Sequence, residues 1–115
     1  FLEAAGLDRP GEMQGISQWS CWTGEADAAR DFVLCENRHN PEMPHAMSYV
    51  DQRYKITTYR HGAFGEIFDL VDDPDEIDNL WDQPLAQDLK QQLLLKMVQA
   101  IMRSEPTRMA RVAQA

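Results

Sequence analysis

The sequence predicts an α+β domain in which a four-stranded antiparallel sheet carries one long C-terminal helix on one face. Three observations predict it. Apolar, aromatic or β-branched runs recur at 31–38, 46–50, 53–60 and 65–70, separated by Gly, Pro, Asn and Asp. The last three runs are joined by connections short enough for an antiparallel meander. Leu85, Leu89, Leu93, Met97 and Ile101 then recur every four residues, as on one face of a helix. A chain of 115 residues has room for one such domain.

Taken in order, residues 1–6 read as the last turn of a helix closed by Gly6, so the chain is expected to begin within a fold. Residues 7–29 lack periodicity. Asp8-Arg9-Pro10-Gly11 is a turn, and Ala-rich 25–30 is expected to form one helical turn. Trp19 and Trp22 stand in a segment with little structure of its own, so they are expected to pack on a part of a larger protein. Phe32, Val33, Leu34 and Cys35 run without alternation, which predicts burial on both faces and a central strand. A polar loop with Pro41 and Pro44 comes next.

The strand at 46–50 is linked by Asp51-Gln52 to the next, at 53–60, where Ile56, Thr57, Thr58 and Tyr59 suit a pleated surface. Gly62 and Gly65 bracket the turn into the fourth strand. Asp72-Asp73-Pro74 stops that strand, because Pro cannot donate to a sheet ladder. Asp75 and Glu76 favour the first turn of a short helix ending at Asn79-Leu80. The long helix is expected over 84–103. Asp82 is its N-cap, Pro84 stands in its first turn, Leu85 opens the buried stripe, and Ser104 and Pro106 mark its stop.

The net charge of −8 argues against nucleic acid and anionic membrane as partners, since a phosphate-binding face needs a basic surplus. No apolar run approaches the roughly 18–20 residues of a membrane span. Cys21 and Cys35 are not in a Cys-x-x-Cys pair. They are read as reduced thiols, although one disulfide between them stays open.

One stretch resembles a known family. Arg53-Tyr54-Lys55, a strand, Gly65-Glu66 with Phe68-Asp69-Leu70, Asp73-Pro74 with Glu76, and Asn79-Leu80 together look like the C-terminal subdomain of sulfatases, in the alkaline phosphatase superfamily. Gln14-Gly15-Ile16-Ser17 and Gly24 add a shorter match, and the resemblance covers roughly residues 1–103. It implies a division into an irregular lead-in (1–30), a sulfatase C-terminal subdomain (31–103) and a tail (104–115). It also implies a parent that hydrolyses sulfate esters. Such a parent would use a formylglycine made from Cys or Ser in a Cys/Ser-x-Pro-x-Arg motif, together with a divalent cation, usually calcium. Neither cysteine here is followed by that motif: Thr23 and Asn37 stand where Pro should be. The catalytic residues are therefore expected in a separate N-terminal catalytic domain, with no metal site in this piece. The acidic run at 72–78 lacks the spacing of a calcium loop and reads as a solvated turn.

Arg38, His39 and His45 flank the loop after the first strand. An arginine with imidazoles suits the oxygens of a sulfate ester or a sugar, and the resemblance lets this loop approach the rim of the substrate pocket. His61 is expected to be exposed. Tyr49, Tyr54 and Tyr59 are read as sheet packing, and Arg53 and Lys55 as surface charges. Two alternatives stay open: a piece of a phosphonate or phosphate monoester hydrolase, and an independent α+β binding module using Trp19 and Trp22. Cut from its parent, the piece is expected to be inactive and to self-associate through its N-terminal segment or an open strand edge.

Overall fold

In the computed structural model, which describes residues 1–11, 13, 15–38 and 45–104, residues 31–103 form one compact unit and residues 1–30 belong to another. The larger unit contains strands β1 (Phe32–Asn37), β2 (Ala46–Asp51), β3 (Tyr54–Tyr59) and β4 (Gly65–Asp69). They lie in sequence order, each antiparallel to the next. After a single 3₁₀ turn at Pro84–Ala86, helix α2 (Gln87–Ser104) crosses the sheet. The α+β meander expected from the sequence is the fold observed.

Register explains the core. Leu34, Tyr49, Ile56 and Ile67 are paired in one row across all four strands, so their side chains share one face. Ile56 and Ile67 are wholly buried, and Trp81, Leu93, Met97 and Ala100 close over them. Each large side chain buried this way contributes about 1.5–3 kcal/mol. The opposite face carries the row Cys35, Ser48, Thr57 and Glu66, in which the Ser48 and Thr57 hydroxyls are 2.8 Å apart.

Several expectations are corrected. β1 is an edge strand, not a central one. Phe32 and Leu34 pack inward, while Cys35 is exposed and Val33 keeps 47% of its surface in solvent. The apolar run is therefore buried on one face only. Leu85 is 99% exposed, because the first turn after Gln83 is 3₁₀ and rotates it away from the sheet; the buried residue of that turn is Ala86. The buried stripe is thus Leu93, Met97 and Ala100, with Leu89 and Ile101 half-buried. Gln83, not Asp82, stands at the N-cap, without a side-chain hydrogen bond.

No helix starts at Asp75. Asp73 instead accepts the Ile77 and Asp78 amides at 3.1 and 2.9 Å, and Glu76 takes a left-handed φ of 56°. Lys55 pairs with the Glu76 carboxylate, holding it in that conformation. In the N-terminal unit the helical turn is α1 (Trp19–Trp22), not 25–30. The chain opens instead with a 3₁₀ turn, Glu3–Ala5, closed by Gly6 at φ 68°.

Two side chains missed in the sequence fasten the sheet to its neighbouring segments. Asn79 Oδ1 accepts the amides of Ile67 and Trp81, each at 3.0 Å, and its Nδ2 donates to the Gly65 carbonyl at 3.1 Å. The Leu80 amide donates to the Ile67 carbonyl at 2.8 Å. This clamp draws the Trp81 indole over Gly65, where a Cβ would meet the indole and the Thr57 carbonyl within 2.6 Å. Lys90 then lies 3.9 Å from the centre of the Trp81 ring and donates to the Trp81 carbonyl at 3.0 Å.

Asp51 does the same at the β2–β3 turn. Its Oδ1 accepts the Arg53 and Tyr54 amides at 3.0 and 2.8 Å, and its Oδ2 accepts Lys96 of α2 at 2.8 Å. Arg53 reaches Asp69 and Asp72 at 2.8 and 3.0 Å.

Candidate functional site

Arg38 and His45 stand at the end of the sheet opposite the Asp51 turn. The β1–β2 register ends with Asn37 opposite Ala46, so the residues just beyond it are brought face to face. Glu36 bridges them. Arg38 donates to its carboxylate, and the same Arg38 Nε donates to His45 Nε2 at 3.0 Å. His45 Nε2 is 3.2 Å from Glu36 Oε1. These two contacts of Nε2 are alternatives: a bare nitrogen accepts from Arg38, whereas an N–H donates to Glu36.

Burial pushes the Glu36 carboxyl up, but hydrogen bonds from Arg38 and His45 outweigh it and hold the group below its ordinary value. Arg38 remains 64% exposed at its side chain. An exposed guanidinium beside an imidazole is a donor set for an oxyanion. His39 lies outside the described residues.

The remaining polar candidates are structural. His61 is exposed in the β3–β4 turn. Tyr49 is buried in the core, and the Tyr59 hydroxyl donates to Glu66 at 3.0 Å while its ring lies 4.9 Å from that of Phe64. Arg53 and Lys55, read as surface charges, are both ion-paired. Cys21 and Cys35 are free thiols. Among the described residues no group of three or more His, Cys, Asp or Glu side chains is placed to hold a metal. No described helix is long and apolar enough to cross a membrane.

The fold is a one-helix antiparallel meander with an exposed polar cluster at one end of its sheet. Its family is specific. Residues 1–103 match the family model for the C-terminal region of N-sulphoglucosamine sulphohydrolase, and the chain belongs to that family of sulfatase C-terminal domains.

Solved structures agree. A protein assigned as a sulfatase from Bacteroides thetaiotaomicron VPI-5482 superposes with a TM-score of 0.80 at 26% identity, over 91% of this chain and 23% of that one. A 2-O GAG sulfatase gives 0.78 at 27% identity, over 90% of this chain and 23% of that one. A protein solved with its substrate D-glucosamine-2-N,6-O-disulfate gives 0.77 over 95% and 24%; at 17% identity it shares the fold. The chain thus spans about a quarter of the length of the structures it matches. Among curated proteins, none matches it significantly.

Proposed function

We propose that this chain is the C-terminal subdomain of a sulfuric ester hydrolase acting on a sulfated sugar, and that its Arg38–His45 end, with His39, forms part of the rim of the substrate pocket. The observation that carries the reading is the exposed Arg38 guanidinium held beside His45 by Glu36, in a sulfatase C-terminal domain. Matched structures include a 2-O GAG sulfatase and a protein bound to a disulfated glucosamine, which supports a sulfated sugar as the ligand class. Formylglycine and calcium would be supplied by the catalytic domain. Arg38 would donate to sulfate or sugar oxygens, and His45, freed from Arg38, would turn its Nε2 toward Glu36 or the ligand.

Sulfate release from a sulfated monosaccharide tests this. The chain alone releases none. The longer gene product that contains it does, and there Arg38→Ala raises KM while leaving kcat within about twofold, as expected for loss of uniform binding. Turnover by the chain alone, abolished by a substitution within it, overturns the accessory role. An unchanged KM overturns the rim assignment.

Separated from that longer product, the chain self-associates in this reading. β1 is an open edge with Val33 and Cys35 exposed, and Trp22 and Phe1 add apolar surface. A concentration-dependent mass in light scattering is the expected result.

A further inference from the structure

A groove of about 510 Å³ lies at the other end of the sheet, between the start of β1, the β2–β3 turn and the last turns of α2. That volume is within the range of small-ligand sites, about 300–1,000 Å³. Lys96, Gln99 and Arg103 are spaced three and four residues apart, which puts them on one side of α2. Phe32 lines the groove from β1 and Asp31 from the residue before it, and Gln52 lines it from the turn.

The lining divides into a fixed part and a free part. Phe32 and Tyr49 stack at 5.4 Å with ring planes 24° apart. Asp51 is occupied by Lys96 and two backbone amides, and Arg53 by Asp69 and Asp72 with its guanidinium 5.3 Å from the Tyr54 ring centre. These groups form a rigid aromatic and ion-paired wall. Gln52, Gln99 and Arg103, all exposed, have no hydrogen-bond or ion-pair partner among the described residues. Lys96 is paired with Asp51, and Arg53 with Asp69 and Asp72, so Arg103 is the cation of the lining left without an ion-pair partner among the described residues.

The geometry points to a second carbohydrate-binding site in this groove, separate from the Arg38–His45 end, for an acidic sugar unit. The half-buried rings of Phe32 and Tyr54 pack against the apolar face of the sugar, with Tyr49 buried behind Phe32, the amides of Gln52 and Gln99 bond its hydroxyls, and Arg103 pairs with its sulfate or carboxylate. The two sites lie at opposite ends of β1 and β2. Each of these strands is six residues long, so about 17–20 Å separates their ends. One longer acidic saccharide could therefore engage both ends, gaining affinity from effective concentration. The choice of a sulfated sugar rests on the function proposed above; the site itself does not.

The test is a side-chain NMR titration of the chain with a sulfated disaccharide, its desulfated counterpart and inorganic sulfate. The sulfated disaccharide should shift the Gln52 and Gln99 amides and the Arg103 Nε–H in a saturable way. Arg103→Ala should weaken that binding at least about tenfold, corresponding to about 1.4 kcal/mol. Gln99→Ala should also weaken it, and both substituted residues are exposed, so a native-like spectrum outside the groove checks the fold. Equal binding of the desulfated sugar overturns the role of Arg103, and equal binding of inorganic sulfate overturns the sugar site. Shifts confined to Arg38 and His45 overturn the groove while sparing the rim assignment; shifts confined to the groove do the reverse.

Discussion

At the β2–β3 end of the sheet, the ion pairs join residues far apart in sequence. Lys96 reaches Asp51 across 45 residues, and Arg53 reaches Asp69 and Asp72 across 16 and 19. At the β1–β2 end, the side chains of Glu36, Arg38 and His45 bond one another, across two to nine residues, and the His45 carbonyl accepts the Arg60 amide at 2.9 Å. The first arrangement ties the turn, β4 and helix α2 together. The second joins side chains at the facing ends of β1 and β2, with one backbone bond to the residue after β3. Exposed side chains that bridge only adjacent strand ends can exchange partners at less cost to the fold than side chains that tie a turn to a distant strand and helix.

The largest effect should come from the platform both ends share. Leu93→Ala removes a wholly buried side chain and should cost about 2–5 kcal/mol in urea unfolding. An unchanged midpoint would mean that α2 does not hold the sheet.

Next is the pinned end. Asp51→Ala leaves the Arg53 and Tyr54 amides and Lys96 without their acceptor, and should cost about 1–3 kcal/mol. If Asp51→Ala costs no more than Arg38→Ala, the contrast between the ends fails.

Acid titration sharpens the contrast. Arg53, with backbone amides of Asp72 and Val71, holds the Asp69 carboxyl below its ordinary value despite burial. Burial pushes Asp51 up, but Lys96 and the Tyr54 and Arg53 amides outweigh it. Both folded-state values are depressed. Their stabilisation is therefore complete above the unfolded carboxyl value, about 3.9, and is lost as pH falls through the folded values. Asp51→Asn should flatten that acid limb of a stability–pH curve. Glu36→Gln should flatten it less, because Glu36, though also depressed, has its side-chain partners among the described residues at the same strand end, in Arg38 and His45.

The smallest effect is at the loop end. Arg38→Ala should leave the unfolding midpoint of the chain unchanged, as exposed pairs usually contribute little. A large loss there would show that the Glu36 cluster is structural and would remove it as a recognition site.

The same division governs which features the sequence reveals. The 53–70 hairpin is legible because Gly62 and Gly65 punctuate two β-rich runs. The failures occur where local pattern and tertiary packing separate. Phe32-Val33-Leu34-Cys35 looks doubly buried as a string, but only its alternate members meet a core. Leu85 fits a four-residue spacing that the 3₁₀ start of the helix rotates out of register. Asp75 and Glu76 have the composition of a helix start, yet Asp73 takes the amides that would open one.

Arg38 and His45 are findable as a loop pair around a strand end. The groove is not, because Asp31, Gln52 and Gln99 acquire a common purpose only through the strand register and the docking of α2. Asp51, two residues before Arg53 and three before Tyr54, did carry a readable sign, the spacing of an Asx turn.

The Asn79 clamp also bears on the chemical lifetime of the chain. Asparagine is a thermolabile residue; it deamidates when the next backbone nitrogen attacks its side-chain carbonyl. In the folded chain that nitrogen, on Leu80, is donated to Ile67, and the Asn79 amide itself is held by three hydrogen bonds. The attack therefore requires local opening. Its product would place a carboxylate oxygen against the Gly65 carbonyl where an N–H now donates. We predict that heat-aged protein accumulates deamidated Asn79 in step with its time spent unfolded, and that the damaged molecules refold with Trp81 displaced from Gly65. Peptide mass spectrometry after matched incubations below and above the melting temperature decides this: equal deamidation in both would show that the clamp gives no protection.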